Sequence, residues 1–405
     1  MSQYIAILIK NIVFLPLWII STIFPKSPNI WVFGAWEGSK YSDNSRYLFE
    51  YVLLHHPEIK SFWVASTNDC YEILKKNKLP VLKKYSFKGV FFSLRANLVI
   101  CSNGLDDVNE FCSSGSKKIM LWHGIPMKKI EYDHLEIIDN GLRSNIRRFF
   151  SKAIYKNRFL FPFLYPDWDM VISTSSLTQD RMSSAFKIAK DNVPILGYPR
   201  NDVLLSSEHT LIKDLIPSHA KNTKYILYAP TFRSNTSDNE MLFKDLPYDK
   251  VNEFLTNKNA CLFIKLHPAL KNYESLLSLT KSENIIVLDN DVYQDINSIL
   301  PNFDILLTDY SGVFYDYLLL DKPIIFTPFD LKKYTYGRGF YENYSDNMPG
   351  PICMNWSDTI KELYAFCNDI DDYSEQRNLC KLRYHDYYDT KSSLRVVNHL
   401  TRNYG

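Results

Sequence analysis

Two histidines occupy the same kind of place in this chain. His123 in KKIMLWHGIP and His267 in ACLFIKLHP each end an apolar run just before a proline turn. An imidazole near neutral pH can take a proton or, once protonated, balance phosphate charge, so two of them at strand ends predict an active site assembled from two parts. A third stretch, FDILLTDYSGVFYDYLLLDKPIIFTP from Phe303 to Pro328, runs from apolar residues into Thr308-Asp309-Tyr310-Ser311-Gly312 and then into a helical pattern. Ser311 suits a helix N-cap, the backbone N–H groups behind it suit a phosphate, and Gly312 lets a ligand approach the main chain. Arg233 closes KYILYAPTFR, and Arg200 stands in LGYPRND beside Asp202. A guanidinium grips phosphate oxygens in pairs, although either arginine could instead be held in a structural salt bridge. Each histidine taken alone could be a hydrogen-bonded core residue. Their joint placement with Asp309, Ser311 and Arg233 is what favours a site.

Other chemistries find little footing. GxGxxG and GxxxxGK[ST] are absent, which counts against a dehydrogenase or a P-loop NTPase. The 7 cysteines form no CxxC, which argues against a zinc site or disulfide framework and for a reducing compartment. Asp289-Asn290-Asp291 spells DxD, a spacing that can hold a divalent metal, but Asp and Asn after a strand are also ordinary turn residues. A net charge of +2 over 405 residues gives no basis for nucleic-acid steering.

The elements that must carry these residues are legible as unbroken apolar runs. Ile30 to Phe33, Phe62 to Ala65, Leu98 to Cys101, Ile119 to Trp122 and Val171 to Thr174 form one series; Tyr225 to Tyr228, Leu262 to Leu266, Ile285 to Leu288, Ile305 to Leu307 and Ile324 to Phe326 form a second. Helical stretches between them imply βαβ units, and strands written this way are buried on both faces of a parallel sheet that binds ligands beyond its carboxyl ends. The expected fold class is α/β, with two Rossmann-like lobes facing a cleft and an N-terminal apolar helix. Residues 1–28 would be that helix, 29–210 the first lobe, 211–385 the second, and 386–405 a C-terminal helix packing back on the first.

Two segments suit a membrane surface. The first 24 residues lack a basic leader and a small-residue cleavage site, so a cleaved signal is not expected; Asn11 to Phe24, the longest uncharged stretch, is shorter than the roughly 20 residues a span requires. An interfacial or core-docking helix is expected there. Within 140–166, Arg143, Arg147, Arg148, Lys152, Lys156 and Arg158 accompany an apolar helical face with no acidic residue, which suits an anionic membrane.

Taken in order, SDNSRYLFEYV, LWHGIPMKKI, ISTSSLTQDRM, ILGYPRNDVLL, ILYAPTFR, FIKLHP, DILLTDYSGVFYDYLLLDKPIIF, GRGFYENY with PGP, and YYDTKSSLRVV resemble the CDP-glycerol glycerophosphotransferases, which build teichoic acids and teichoic-acid-like capsules. The resemblance implies a glycosyltransferase-B-like pair of lobes attached to the cytoplasmic face of the bacterial cell membrane as a peripheral protein. It also implies transfer of a polyol phosphate from CDP-glycerol or CDP-ribitol to a hydroxyl of a lipid-linked or glycan acceptor, with CMP leaving. It makes His123 the general base and His267 its catalytic partner at the donor, with Arg233, Thr308, Asp309, Ser311, Gly312 and Asp316 as donor-binding residues. Gly124, Arg200 and Asp202 become candidate contacts for the acceptor or a phosphate. No metal or other cofactor is required. Two departures stand out: relatives commonly carry a second serine where this chain has Gly312, and the long extra domains of some polymerases are missing. A sugar-nucleotide glycosyltransferase and a non-catalytic membrane scaffold are the alternatives.

Overall fold

The computed structural model describes residues 2–135, 156, 166–207, 212, 216, 223–231, 233, 246–266, 282–290, 292–335, 339–346 and 348–405. The chain divides into two compact units, Met1–His123 with Ile130–Asp202 and Asp389–Gly405, and Gly124–Lys129 with Val203–Tyr388. The short stretch after His123 was expected in the N-terminal lobe. It belongs to the second unit because its backbone pairs there: Lys129 N–H donates to Gly339 O (2.8 Å) and Tyr341 N–H to Met127 O (3.1 Å).

The first unit begins with α1 (Ser2–Ile23), which docks through a Phe14–Phe111 ring stack with centroids 3.9 Å apart and a Ser21 hydroxyl donated to Cys112 O. Ile9, Val13, Ile19, Ile20 and Ile23 remain exposed on it. Among the described residues no helix is long and apolar enough to cross a membrane. The elements β1 (Ser27–Gly34), α2 (Asp43–His55), β2 (Lys60–Ala65), α3 (Asn68–Lys76), β3 (Val81–Lys83), α4 (Phe87–Arg95), β4 (Ala96–Cys101), β5 (Lys117–Met120), α5 (Glu131–Leu135), β6 (Met170–Val171) and α6 (Ser176–Phe186) follow. The sheet runs β3-β2-β1-β4-β5-β6 with every neighbouring pair parallel. Ile30 to Gly34 of β1 are all buried, as a strand covered by helices on both faces must be. The order reverses between β1 and β4, so their carboxyl ends open the crevice where such sheets take ligands.

The second unit is built from β7 (Lys224–Ala229), α7 (Tyr248–Asn257), β8 (Ala260–Ile264), β9 (Ile285–Val287), β10 (Ile305–Thr308), α8 (Val313–Tyr317), β11 (Ile324–Phe326), α9 (Leu331–Thr335), α10 (Trp356–Cys367) and α11 (Ser374–Tyr384). Its parallel sheet runs β11-β10-β7-β8-β9 and reverses between β7 and β10. One core face stacks Ile226, Tyr228, Leu262, Ile264, Ile305 and Leu307 against Val251, Phe254 and Leu255 of α7 and Leu363 and Phe366 of α10. The chain then returns to the first unit as α12 (Ser392–Tyr404), burying Val396, Val397 and Leu400.

Candidate active site

In the first unit the residues at the reversal form one polar network. Asp43, the first residue of α2, adopts φ 62°, a left-handed conformation that a short polar side chain tolerates. Its carboxylate accepts from Trp36 Nε1 and from the Arg200 guanidinium (2.9 Å). Arg200 also donates to His123 O (2.7 Å), and its backbone N–H donates to Asn44 Oδ1 (3.0 Å). The Asn44 amide donates to Leu121 O (3.2 Å) and Trp122 O (2.8 Å), so α2 grips the chain just beyond β5. Across the reversal, Asp107 accepts from the backbone N–H groups of Ser102 (2.9 Å), Asn103 (2.7 Å) and Glu37 (2.8 Å), fixing the loop after β4.

His123 is half-buried on this loop, its ring centroid 4.1 Å from that of Trp122. Nδ1 lies 3.2 Å from Ser102 O and 3.3 Å from Asn103 Nδ2. A carbonyl can only accept, so the Ser102 contact requires a hydrogen on Nδ1 and leaves the lone pair on Nε2; the Asn103 amide, whose oxygen is taken by Trp36 N–H at 2.9 Å, would select the opposite tautomer. Burial lowers the imidazole pKa, with Arg200 acting in the same sense, against the opposing pull of Asp43 and the Ser102 carbonyl. The ring is therefore neutral at neutral pH, with one nitrogen available as a proton acceptor.

In the second unit Asp309 stands at the end of β10 with its side chain 1% exposed. Its carboxylate accepts from the backbone N–H of Thr231 (2.8 Å) and Tyr310 (2.6 Å) and from Arg233 (2.8 Å). Arg233 also forms a two-pronged pair with Asp330 (2.8 and 2.9 Å), donates to Thr231 O (2.6 Å), and lies 5.0 Å from the Tyr310 ring centroid and 4.9 Å from that of Tyr334. Burial works against its charge, but Asp309 and Asp330 outweigh it and hold the guanidinium protonated. At 4% exposure Arg233 ties the segment after β7 to Asp309 and Asp330 through these bonds.

The other expected residues separate in the same way. Thr308 Oγ1 donates to Ala229 O (2.8 Å), locking β10 to β7, and Asp316 is fully buried in α8. Ser311 Oγ accepts from Val313 N–H (3.3 Å), but the helix behind it starts at Val313 with Gly312 as its N-cap and is only five residues long. A helix this short adds little dipole to the backbone N–H groups at its start, because the dipole effect needs aligned peptides behind the terminus. Arg200 joins Asp43 to the His123 carbonyl. Asp202 accepts from the N–H groups of Ser392 and Ser393 (both 2.8 Å) and so caps α12. Gly124 has φ 131°, a backbone conformation suited to glycine, and belongs to the second unit. His267 and Asp291 lie outside the described residues, as does the basic segment 140–166 apart from Lys156 and Pro166. At the DxD stretch Asn290 Oδ1 accepts from the Lys265 ammonium, and among the described residues no group of three or more His, Cys, Asp or Glu could hold a metal ion.

Asp43, Asn44, Ser102 and Asn103 were not singled out from the sequence as site residues. The available signal was the polar run Ser42-Asp43-Asn44-Ser45 entering a helix after the first apolar strand, the position where an α/β sheet collects its ligand groups.

The family described as CDP-Glycerol:Poly(glycerophosphate) glycerophosphotransferase matches residues 17–402. The chain is 28% identical over 351 residues to a teichoic acid poly(glycerol phosphate) polymerase of Staphylococcus epidermidis, covering 83% of this chain and 45% of that protein. It is 27% identical over 379 residues to a teichoic acid glycerol-phosphate transferase of Staphylococcus aureus, covering 91% of this chain and 92% of that one. It thus spans less than half the length of the first relative and most of the second. Among solved structures, the wall teichoic acid polymerase TagF superposes with a TM-score of 0.71 at 23% identity, covering 99% of this chain and 97% of that chain, a likeness of fold.

Proposed function

The chain belongs to the CDP-glycerol:poly(glycerophosphate) glycerophosphotransferase family, and from that premise we propose that it transfers a polyol phosphate from a CDP-activated donor to an acceptor hydroxyl. His123 accepts the hydroxyl proton at Nε2 as the acceptor oxygen attacks the β-phosphorus. The new P–O bond forms as the bond from that phosphorus to the bridging oxygen breaks, and CMP leaves with the electron pair. The observation that carries this reading is the neutral His123 held at the carboxyl end of the first sheet with Nδ1 directed to Ser102 O.

His267 and the backbone around Ser311 and Gly312 stabilise the charge on the donor phosphates, while Arg233 and Asp309 hold that loop in shape. The two sheets act as the lobes of a glycosyltransferase-B-like enzyme, and the reaction as written needs no metal. The acceptor is lipid-linked or a glycan, and the protein works at the cytoplasmic face of the bacterial membrane, with α1 and segment 140–166 on the anionic surface. Teichoic-acid or capsule polymer is the product class. The test is nucleotide release by the purified protein given CDP-glycerol, CDP-ribitol and UDP-sugars in parallel with a lipid-linked acceptor. CMP from a CDP-polyol is expected; UDP from a UDP-sugar without CMP would replace this reading by a sugar transferase, and no release from any donor by a CDP-binding protein would point to a scaffold.

A further inference from the structure

The stretch that follows His123 does work that neither the family nor the site residues above account for. Residues 121 to 123 are held within the first unit by their carbonyls: Asn44 donates to Leu121 O and Trp122 O, and Arg200 to His123 O. From Gly124 to Lys129 the chain is held within the second unit instead. Lys128 bridges antiparallel to Phe340, Lys129 N–H donates to Gly339 O, and Tyr341 N–H donates to Met127 O. The Lys128 ammonium donates to Tyr334 Oη at 2.6 Å. Gly124, at φ 131°, follows the first set of anchors and opens the segment held in the second unit.

The second set of anchors reaches the donor-side loop at two points. A Cβ added to Gly312 would stand 2.8 Å from Ile125 O, closer than a carbon and a carbonyl oxygen tolerate. The Tyr334 ring that receives Lys128 stacks on Tyr310 with centroids 3.8 Å apart and planes 14° apart, and Tyr310 Oη donates to Asp330 at 2.9 Å. So the loop 309–312 meets the strap 124–129 directly where Gly312 faces the Ile125 carbonyl, and indirectly through Tyr334, which stacks on Tyr310 and accepts from Lys128.

We propose that residues 124–129 are a positioning strap that carries the conformation of the 309–312 loop to His123, with Gly312 and Lys128 as positioning residues. This rests on the transferase reading for its purpose. It gives the missing hydroxyl at position 312 a different meaning: the glycine makes room for the Ile125 carbonyl.

The test uses the full chain with Gly312→Ser, Lys128→Met and Lys128→Arg. Three readouts are taken: kcat for CMP release, the dissociation constant for CDP by calorimetry, and the titration of the His123 ring by NMR. The serine and methionine variants are expected to lose about tenfold to a hundredfold in kcat, the loss that a displacement near 1 Å produces, and Lys128→Met, outside the donor loop, to bind CDP within about twofold of wild type. Their His123 titration should move from its wild-type midpoint, and Lys128→Arg should restore both kcat and midpoint at least in part. Unchanged kcat and unchanged His123 titration in both Gly312→Ser and Lys128→Met would overturn the strap. A wild-type protein that releases no CMP would sink the transferase reading alone, because the His123 titration of the variants still decides the strap.

Discussion

In the tautomer that donates from Nδ1 to Ser102 O, a neutral His123 keeps Nε2 for an incoming proton, so its activity as a base should follow its deprotonation. Burial lowers its pKa below the ordinary 6.5. The neutral form is the active one, so kcat should rise with pH through that lowered value and be level by neutrality, with its acid limb below about pH 6.5. A kcat profile still climbing between pH 7 and 8 would contradict the assignment. At this scale the sequence showed which side chains stand at strand ends but not where they point. Arg200 and Arg233 looked alike as phosphate ligands. Their carboxylate partners, Asp43 and Asp330, lie 157 and 97 residues away, a separation no local pattern reports.

Elements were more legible than side-chain roles, for a physical reason. Strands buried on both faces must be apolar, and Ile30 to Gly34 of β1, all of β8 and Ile305 to Leu307 of β10 are. The short edge strand β3, Val81–Lys83, escaped notice because three residues with one exposed lysine carry no such run. The length of the helix after Gly312 is not legible in the apolar run VFYDYLLL, whose α-helical part ends at Tyr317 and continues as a 3-10 turn over Leu318–Leu320. Arg233 ties the segment after β7 to Asp309 after β10 and to Asp330 before α9, so its loss is an element-scale event. Arg233→Ala would leave the buried Asp309 carboxylate uncompensated and should cost about 3–5 kcal/mol of stability. Chemical denaturation checks this. Unchanged stability with weakened CDP binding would return Arg233 to the role of a phosphate ligand.

For the whole molecule, two parallel sheets each reverse their strand order once, and each reversal gathers polar side chains that the intervening sequence keeps far apart. The two series of apolar runs made this doubling readable, whereas the crossing of 124–129 into the second unit was not, since it depends on backbone pairing with residues 339–341. The proposed membrane attachment belongs to this scale too. Each Lys or Arg near an anionic surface contributes roughly 1 kcal/mol, so neutralising Arg143, Arg147, Arg148, Lys152, Lys156 and Arg158 together should abolish flotation with anionic liposomes; undiminished flotation would remove that segment from the interface.

Polyol-phosphate transfer with His123 as the base can be read from the mass of the product. Wild-type protein and His123→Ala are incubated with CDP-glycerol and a lipid-linked acceptor, and with CDP-ribitol in parallel. Wild type should add whole polyol-phosphate units, one CMP per unit, while His123→Ala should bind CDP normally and lose about a hundredfold to ten-thousandfold in rate. Acceptor mass unchanged with wild-type protein, or full turnover by His123→Ala, would contradict it.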